Sequence, residues 1–161
     1  MQRITLISTI LLFVAGMAFG QSTMPDAAVY NLEGSKIQLK DYFADGSPKL
    51  VSLWATWCGP CRMELKALKD SYPRWKEKYD MEIVTISLDT PKMLGRAQKM
   101  FEDNEWEYTF LHDKDQELMQ KLKITGIPYS LLIDGAGNVV SVQKGYSPGY
   151  EKQIEQKLKN I

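Results

Sequence analysis

The chain has 161 residues, 44% of them hydrophobic and 25% charged, a balance that suits one globular core. Its 20 lysines and arginines are matched by 20 aspartates and glutamates. No long-range basic field therefore exists to draw in nucleic acid or an anionic lipid surface, and neither is expected as a partner.

The opening stretch, MQRITLISTILLFVAGMAFGQ, joins a basic Arg3 to an apolar run and closes on small residues at Ala18 and Gly20. This pattern predicts a secretory signal over residues 1–20 and an exported domain over 21–161. Left uncleaved, the same run would be a short membrane anchor, because Ile4 to Gly20 sits at the lower limit of what spans a bilayer. Beyond Gln21 there is no repeat, low-complexity tract or linker, so the remainder is one folding unit.

Ala27 to Leu32 and Lys36 to Leu39 flank a Glu33-Gly34-Ser35 turn and predict a leading hairpin, with a helical turn at Asp41 to Ala44. Lys49 to Thr56 is an apolar run suited to a buried central strand. From Pro60 onward Leu65, Leu68, Tyr72 and Trp75 recur at helical spacing, and Pro73 should kink or divide that helix. Glu82 to Leu88 reads as a strand, Pro91 to Asn104 as a helix, Tyr108 to Leu111 as a short strand and Asp115 to Leu122 as a brief helix. Tyr129 to Asp134 and Val139 to Gln143 flank Gly135-Ala136-Gly137-Asn138, whose glycines allow positive φ in a hairpin turn. A closing helix follows from Pro148 to Lys159. This order predicts an α/β fold with a central sheet covered by helices on both faces.

Both cysteines of the chain lie in the stretch WATWCGPCR, at Cys58 and Cys61. A C-x-x-C pair is half of a zinc site, a structural disulfide or a redox pair. A structural zinc needs four ligands, and His112 is the chain's single histidine, so the zinc reading fails for lack of soft ligands. A structural disulfide would close a loop too short to remove much chain entropy. The redox reading survives. The strand ahead of the pair and Pro60 between the two cysteines, suited to the first helical position because it has no N–H, place Cys58 at a helix N-terminus, where free N–H groups and the dipole stabilise a thiolate. Thiol pKa values fall from about 8.5 to between about 3.5 and 7.5 in such places, so Cys58 is the expected attacking sulfur. Cys61, one turn on, would resolve the mixed disulfide, and Glu64, three residues further, falls on its face as a candidate proton acceptor.

The stretch WATWCGPCRMEL together with Gly126-Ile127-Pro128 resembles the exported TlpA/ResA-like thiol:disulfide oxidoreductases of the thioredoxin superfamily, over nearly the whole chain beyond the signal. The resemblance implies a thioredoxin-like fold: a central mixed β-sheet with an N-terminal β-hairpin, and an insertion, here Trp106 to Lys123, between the βαβ and ββα halves. It implies a C-x-x-C-x-x-E site of Cys58, Cys61 and Glu64, and a cis Pro128 that leaves the backbone of Ile127 open to an extended substrate. Trp57, Gly59, Pro60, Ile127 and Pro128 would form the substrate-binding surface. No metal and no organic cofactor are implied, only the redox-active disulfide. Implied partners are disulfide-containing exported proteins, such as apocytochrome c, and a membrane-embedded electron donor. The setting would be periplasmic or otherwise extracytoplasmic, and the protein a monomer.

Three positions depart from the pattern. Ser52 stands where cytoplasmic thioredoxins carry a buried aspartate, which shifts proton handling onto Glu64. Lys66 replaces a common proline, and Tyr129 replaces the threonine that usually follows the cis-proline. Arg62 would either lower the thiolate pKa or coat the helix surface. His112, before Asp113-Lys114-Asp115, reads as a solvated surface histidine without a role. Two rival functions remain in view. A thiol peroxidase of peroxiredoxin type would need threonine three residues before its cysteine, where this chain has Ala55. A non-catalytic peptide-binding module would carry the disulfide passively.

Overall fold

The computed structural model describes residues 22–161; the expected signal segment over 1–20 lies outside the described residues. The strands are β1 (Ala28–Tyr30), β2 (Lys36–Gln38), β3 (Lys49–Trp54), β4 (Glu82–Ser87), β5 (Thr109–His112), β6 (Tyr129–Ile133) and β7 (Val139–Lys144). The helices are α1 (Leu39–Tyr42), α2 (Gly59–Lys69), α3 (Tyr72–Tyr79), α4 (Leu94–Asp103), α5 (Glu117–Lys121) and α6 (Tyr150–Leu158). The strands form one mixed sheet of order β2-β1-β5-β4-β3-β6-β7. β3, β4 and β5 run parallel, while β6 lies antiparallel to β3 and β7 antiparallel to β6.

All six residues of β3 are buried, as a strand covered on both faces requires. The lysine that opens it, Lys49, is fully buried and satisfies its ammonium on Asp45 and on the Ser47 hydroxyl at 2.8 Å. One face of the sheet is covered by α2, α3, α4 and α6 through Leu65, Leu68, Trp75, Phe101, Ile154 and Leu158. There Trp54 sits among Phe101, Trp106 and Phe110, with ring centroids 5.5, 6.1 and 6.3 Å away. The other face is covered by α1 and α5, with Leu39, Phe43 and Leu118 packed on Val51, Leu53 and Ile86. The expected two-faced cover is therefore present.

The insertion read at Trp106 to Lys123 holds β5 and α5, and β5 lies between β1 and β4. It is an inner strand of the sheet, and the leading hairpin is attached through it. Pro73 divides the predicted long helix: α2 ends at Lys69 and Pro73 occupies the first turn of α3, where its missing N–H costs nothing. Pro91 likewise opens a 3-10 turn, Pro91–Met93, that leads into α4.

Most boundaries move by one to three residues from expectation, and two of the shifts have a clear cause. The helical turn expected at Asp41 to Ala44 is α1, starting at Leu39, because Leu39 and Phe43, four apart, bury fully on one core face. The strand expected at Tyr108 to Leu111 is shifted by one residue, since β5 pairs Ser87 of β4 with His112. Among the described residues no helix is long and apolar enough to cross a membrane.

The β6–β7 turn uses its glycines for two different reasons. Gly137 has φ +84°, the left-handed conformation expected of it. Gly135 needs closeness instead: a Cβ there would lie 2.2 Å from the backbone oxygen of Gly46, whose own N–H donates to Gly135 O at 3.2 Å. Gly135→Ala is accordingly expected to destabilise the fold by about 1–3 kcal/mol in denaturant unfolding, whereas Ala136→Ser at the exposed tip stays within about 0.5 kcal/mol. Equal midpoints for the two variants would contradict the close approach.

Candidate active site

β3 leaves the sheet at Trp54, the chain turns through Ala55 to Trp57, and Cys58 caps α2. The turn is closed by Cys58 N–H donating to Ala55 O at 3.0 Å. The Cys58 sulfur accepts from the Cys61 N–H at 3.2 Å, so one orphan donor of the helix start points straight at it. Pro60 sits second in α2, behind Gly59, rather than first as the sequence suggests. Its position still falls among the donors that have no intrahelical partner. Cys58 and Cys61 are joined as a disulfide with Cα atoms 5.3 Å apart. Cys58 retains 5% exposure and Cys61 none, so an incoming sulfur can reach the first and not the second.

Glu64 is fully buried, one helical turn beyond Cys61 and on the same inward face of α2. Each carboxylate oxygen has its own donor. The Ser52 hydroxyl donates to Oε2 at 2.9 Å and the Ser130 hydroxyl to Oε1 at 2.7 Å. Those serines are direct partners across the β3–β6 ladder and both are fully buried. Burial drives the Glu64 pKa above its ordinary value, and the Ser130 and Ser52 hydrogen bonds work against that rise. Ser52 is noticeable in sequence only as a departure from a family pattern. Ser130 gives no sequence signal, because a serine inside YSLLI is equally at home facing water.

A second buried carboxylate fixes the approach to Cys58. Asp89 accepts from the Thr56 N–H at 2.9 Å, from the Thr56 hydroxyl at 2.8 Å and from the Ser87 hydroxyl at 3.0 Å. All three residues are at most 2% exposed. His112 belongs to this group. It is 3% exposed, at the end of β5, with Nε2 2.7 Å from the backbone oxygen of Asp89. The surface reading of His112 is thus overturned: the strand runs one residue further than the polar Asp113-Lys114-Asp115 run suggests, and the ring turns under the β4 end. The sequence hides this cluster because its members are spread over three segments.

Around the pair the surface is apolar. Trp57 is 67% exposed and Met63 58%. The backbone oxygen of Ile127 lies 3.7 Å from the Cys58 sulfur, Ile127 and Tyr129 are half-buried, Pro128 is buried, and the Ile127–Pro128 bond is cis. On the other side a cleft of about 470 Å³ runs from Gly59 and Pro60 past Arg62 and Met63 to Met100 and Trp106. Arg62 faces this cleft. Among the described residues no three His, Cys, Asp or Glu side chains converge as a metal cage would need.

A sheet-centred fold with a C-x-x-C pair at the start of a helix and a proline loop against the first sulfur defines a thiol–disulfide oxidoreductase of thioredoxin type. Residues 21–142 match the AhpC/TSA family. The thiol-disulfide oxidoreductase ResA of Bacillus thuringiensis subsp. konkukian is 31% identical over 137 residues, 85% of this chain and 75% of that protein. ResA of Bacillus anthracis is 34% identical over 139 residues, with the same shares. A crystal structure bearing the name thiol:disulfide interchange protein DsbE, from Chlorobium tepidum, superposes with TM-score 0.74 at 28% identity, covering 87% of this chain and 95% of its own. A thioredoxin-like protein of Porphyromonas gingivalis gives 0.75 at 28% identity, covering 85% and 90%. The chain belongs to the AhpC/TSA family and, within the thioredoxin superfamily, is a ResA-like thiol-disulfide oxidoreductase.

Two outcomes follow from the buried carboxylates. Asp89→Ala strands the Thr56 and Ser87 donors in the interior and should cost about 3 kcal/mol, a fall of about 10 °C in Tm by calorimetry. Glu64, with its folded pKa raised, favours the folded state fully only below its ordinary value of 4.5, and that contribution is lost as pH rises through the folded value. Glu64→Gln should therefore gain stability relative to wild type between pH 4 and pH 8. A difference independent of pH in urea titrations would rule out the raised pKa.

Proposed function

We propose that this protein is an extracytoplasmic reductant of disulfides in exported proteins, apocytochrome c among them. The reading is carried by one contact, the Cys61 N–H aimed at the Cys58 sulfur, which stabilises negative charge on the thiol that is also the more accessible. In the reduced protein the Cys58 thiolate attacks one sulfur of the substrate disulfide. A Cys58–substrate bond forms, and the other substrate sulfur leaves as a thiolate. The Cys61 thiol then passes its proton to the Glu64 carboxylate, and the Cys61 thiolate attacks Cys58. The Cys58–substrate bond breaks, the second substrate sulfur leaves, and the Cys58–Cys61 disulfide is restored. The substrate has gained two electrons and the cysteine pair has lost them.

Trp57, Gly59, Pro60, Ile127 and Pro128 form the surface on which the substrate segment would lie. The open backbone oxygen of Ile127 near the reacting sulfur supports strand-like pairing there. The apolar start of the chain, ending in small residues, supports export with residues 1–20 as signal and 21–161 as the working domain. In a compartment kept oxidising, a reductant must be recharged, so a membrane-embedded dithiol donor is part of the proposal. The chemistry uses the disulfide alone, with no metal or organic cofactor, and a monomer suffices for it.

A peroxide-reducing role, which the wider AhpC/TSA match brings to mind, lacks its hydroxyl. The position three residues before Cys58 is Ala55, fully buried. A passive peptide-binding role is separated by mutation, since it requires Cys58→Ser to keep full activity.

The deciding experiment uses Cys61→Ser, which can attack but not resolve. Incubated with a disulfide-bonded apocytochrome c peptide, it should accumulate a mixed disulfide through Cys58, identified by mass spectrometry, while Cys58→Ser accumulates none. No adduct from Cys61→Ser would remove the attacking role from Cys58. Direction is decided by the reduction potential: a value near about −270 mV, as in thioredoxin, fits a reductant, and one near about −120 mV would make the protein an oxidant.

A further inference from the structure

Glu64 and Cys61 are both without solvent exposure, and water therefore offers Glu64 no easy means of settling into either protonation state. What surrounds it is specific. From β3 comes the Ser52 hydroxyl at 2.9 Å, and from β6 the Ser130 hydroxyl at 2.7 Å, one to each oxygen. From the segment before β5 comes Tyr108, whose hydroxyl donates to Leu65 O at 2.8 Å. From the start of α6 comes Tyr150. Both tyrosines lie near enough to feel the Glu64 charge, which helps raise their own pKa values. Its own helix contributes Cys61. Among the described residues no lysine or arginine pairs with it.

Serine is suited to this place in a way that a fixed donor is not. A hydroxyl carries one hydrogen and two lone pairs, and it rotates. Against a carboxylate both serines donate. Against the carboxylic acid, one of them turns to accept the acid's hydrogen while the other continues to donate. A lysine would hold Glu64 charged, and purely apolar neighbours would hold it neutral. Two hydroxyls from adjacent strands support both forms with no backbone movement, because Ser52 and Ser130 are locked as direct partners in the ladder.

We infer that Ser52 and Ser130 are positioning residues for proton exchange at Glu64, aiming its carboxyl and keeping it switchable, and thereby setting the pH range in which the resolving thiol is deprotonated. This rests on Glu64 as the acceptor of the Cys61 proton. The proton leaves the Cys61 sulfur, arrives on a Glu64 oxygen and reorients one serine hydroxyl, and nothing is oxidised or reduced in that step.

The test titrates Glu64 directly, in the disulfide form of the whole protein, by the ¹³C shift of its side-chain carboxyl. Removing either hydroxyl removes a donor to the charged form, so Ser52→Ala and Ser130→Ala should each move the midpoint upward by about one pH unit, and the double variant further. Ser130→Thr, which keeps a hydroxyl, should return it to within about 0.3 unit. In parallel, a glutathione mixed disulfide on Cys58 is allowed to resolve across the pH range. The alanine variants should shift that rate profile upward to match, with resolution about tenfold slower on its rising limb.

Midpoints unchanged in both single variants would overturn the inference, and so would a shift in Ser130→Thr equal to that in Ser130→Ala. The single variants decide the matter if the double variant does not fold. Glu64→Gln separates the role of Glu64 from that of the serines. A profile it leaves unaltered removes Glu64 as the acceptor, whereas a profile it flattens, beside unmoved serine variants, removes only the serines.

Discussion

The N–H of Cys61 directed at the sulfur of Cys58 is the contact on which the rest of the molecule is organised. It exists because a helix must start somewhere, and its first turn leaves donors without partners. Placing that start at the end of a buried strand, with a cysteine as cap, supplies a preformed site for negative charge on sulfur. That stabilisation follows from backbone geometry. Much of the surrounding architecture serves to hold the handover from β3 to α2 still.

Two buried carboxylates, approached from different segments, flank the cysteine pair. Asp89 pins Thr56, two residues before Cys58, and draws in His112 from the end of β5. The inserted strand is thereby connected to the loop that carries Cys58. Glu64 sits on the inner side of α2, one turn beyond Cys61, between serines of two strands. Among the described residues neither carboxylate forms a salt bridge, so each depends on hydrogen bonds to offset burial. For Asp89 those bonds are to backbone and side-chain donors that cannot all turn away, which suits a fixed anchor. For Glu64 they are to rotating hydroxyls, which suits a group that changes charge.

The asymmetry between the cysteines also has a simple origin. Cys58 is the cap and therefore lies at the rim, beside exposed Trp57 and the Ile127 carbonyl. Cys61 is one turn in and therefore inside. The difference in exposure is a consequence of the three-residue spacing on a helix whose one face is core. Trp57, Pro60 and Met63 form an exposed apolar rim beside the cleft that runs past Arg62 to Met100 and Trp106.

The sequence alone determined the chemistry. Two cysteines at C-x-x-C spacing, with too few other soft ligands for zinc, a strand ahead of them and a helix-starting proline between them, leave a redox pair as the consistent reading. Periodicity likewise gave most of the elements, because buried faces impose it locally. Tertiary structure decided what local pattern cannot carry. That β5 is an inner strand, that His112 lies beneath the active-site loop, and that Ser130 reaches Glu64 across 66 positions of chain all depend on which strands become neighbours. Such pairings are fixed by the packing of the whole sheet, and a polar residue that will be buried is written no differently from one that will face water.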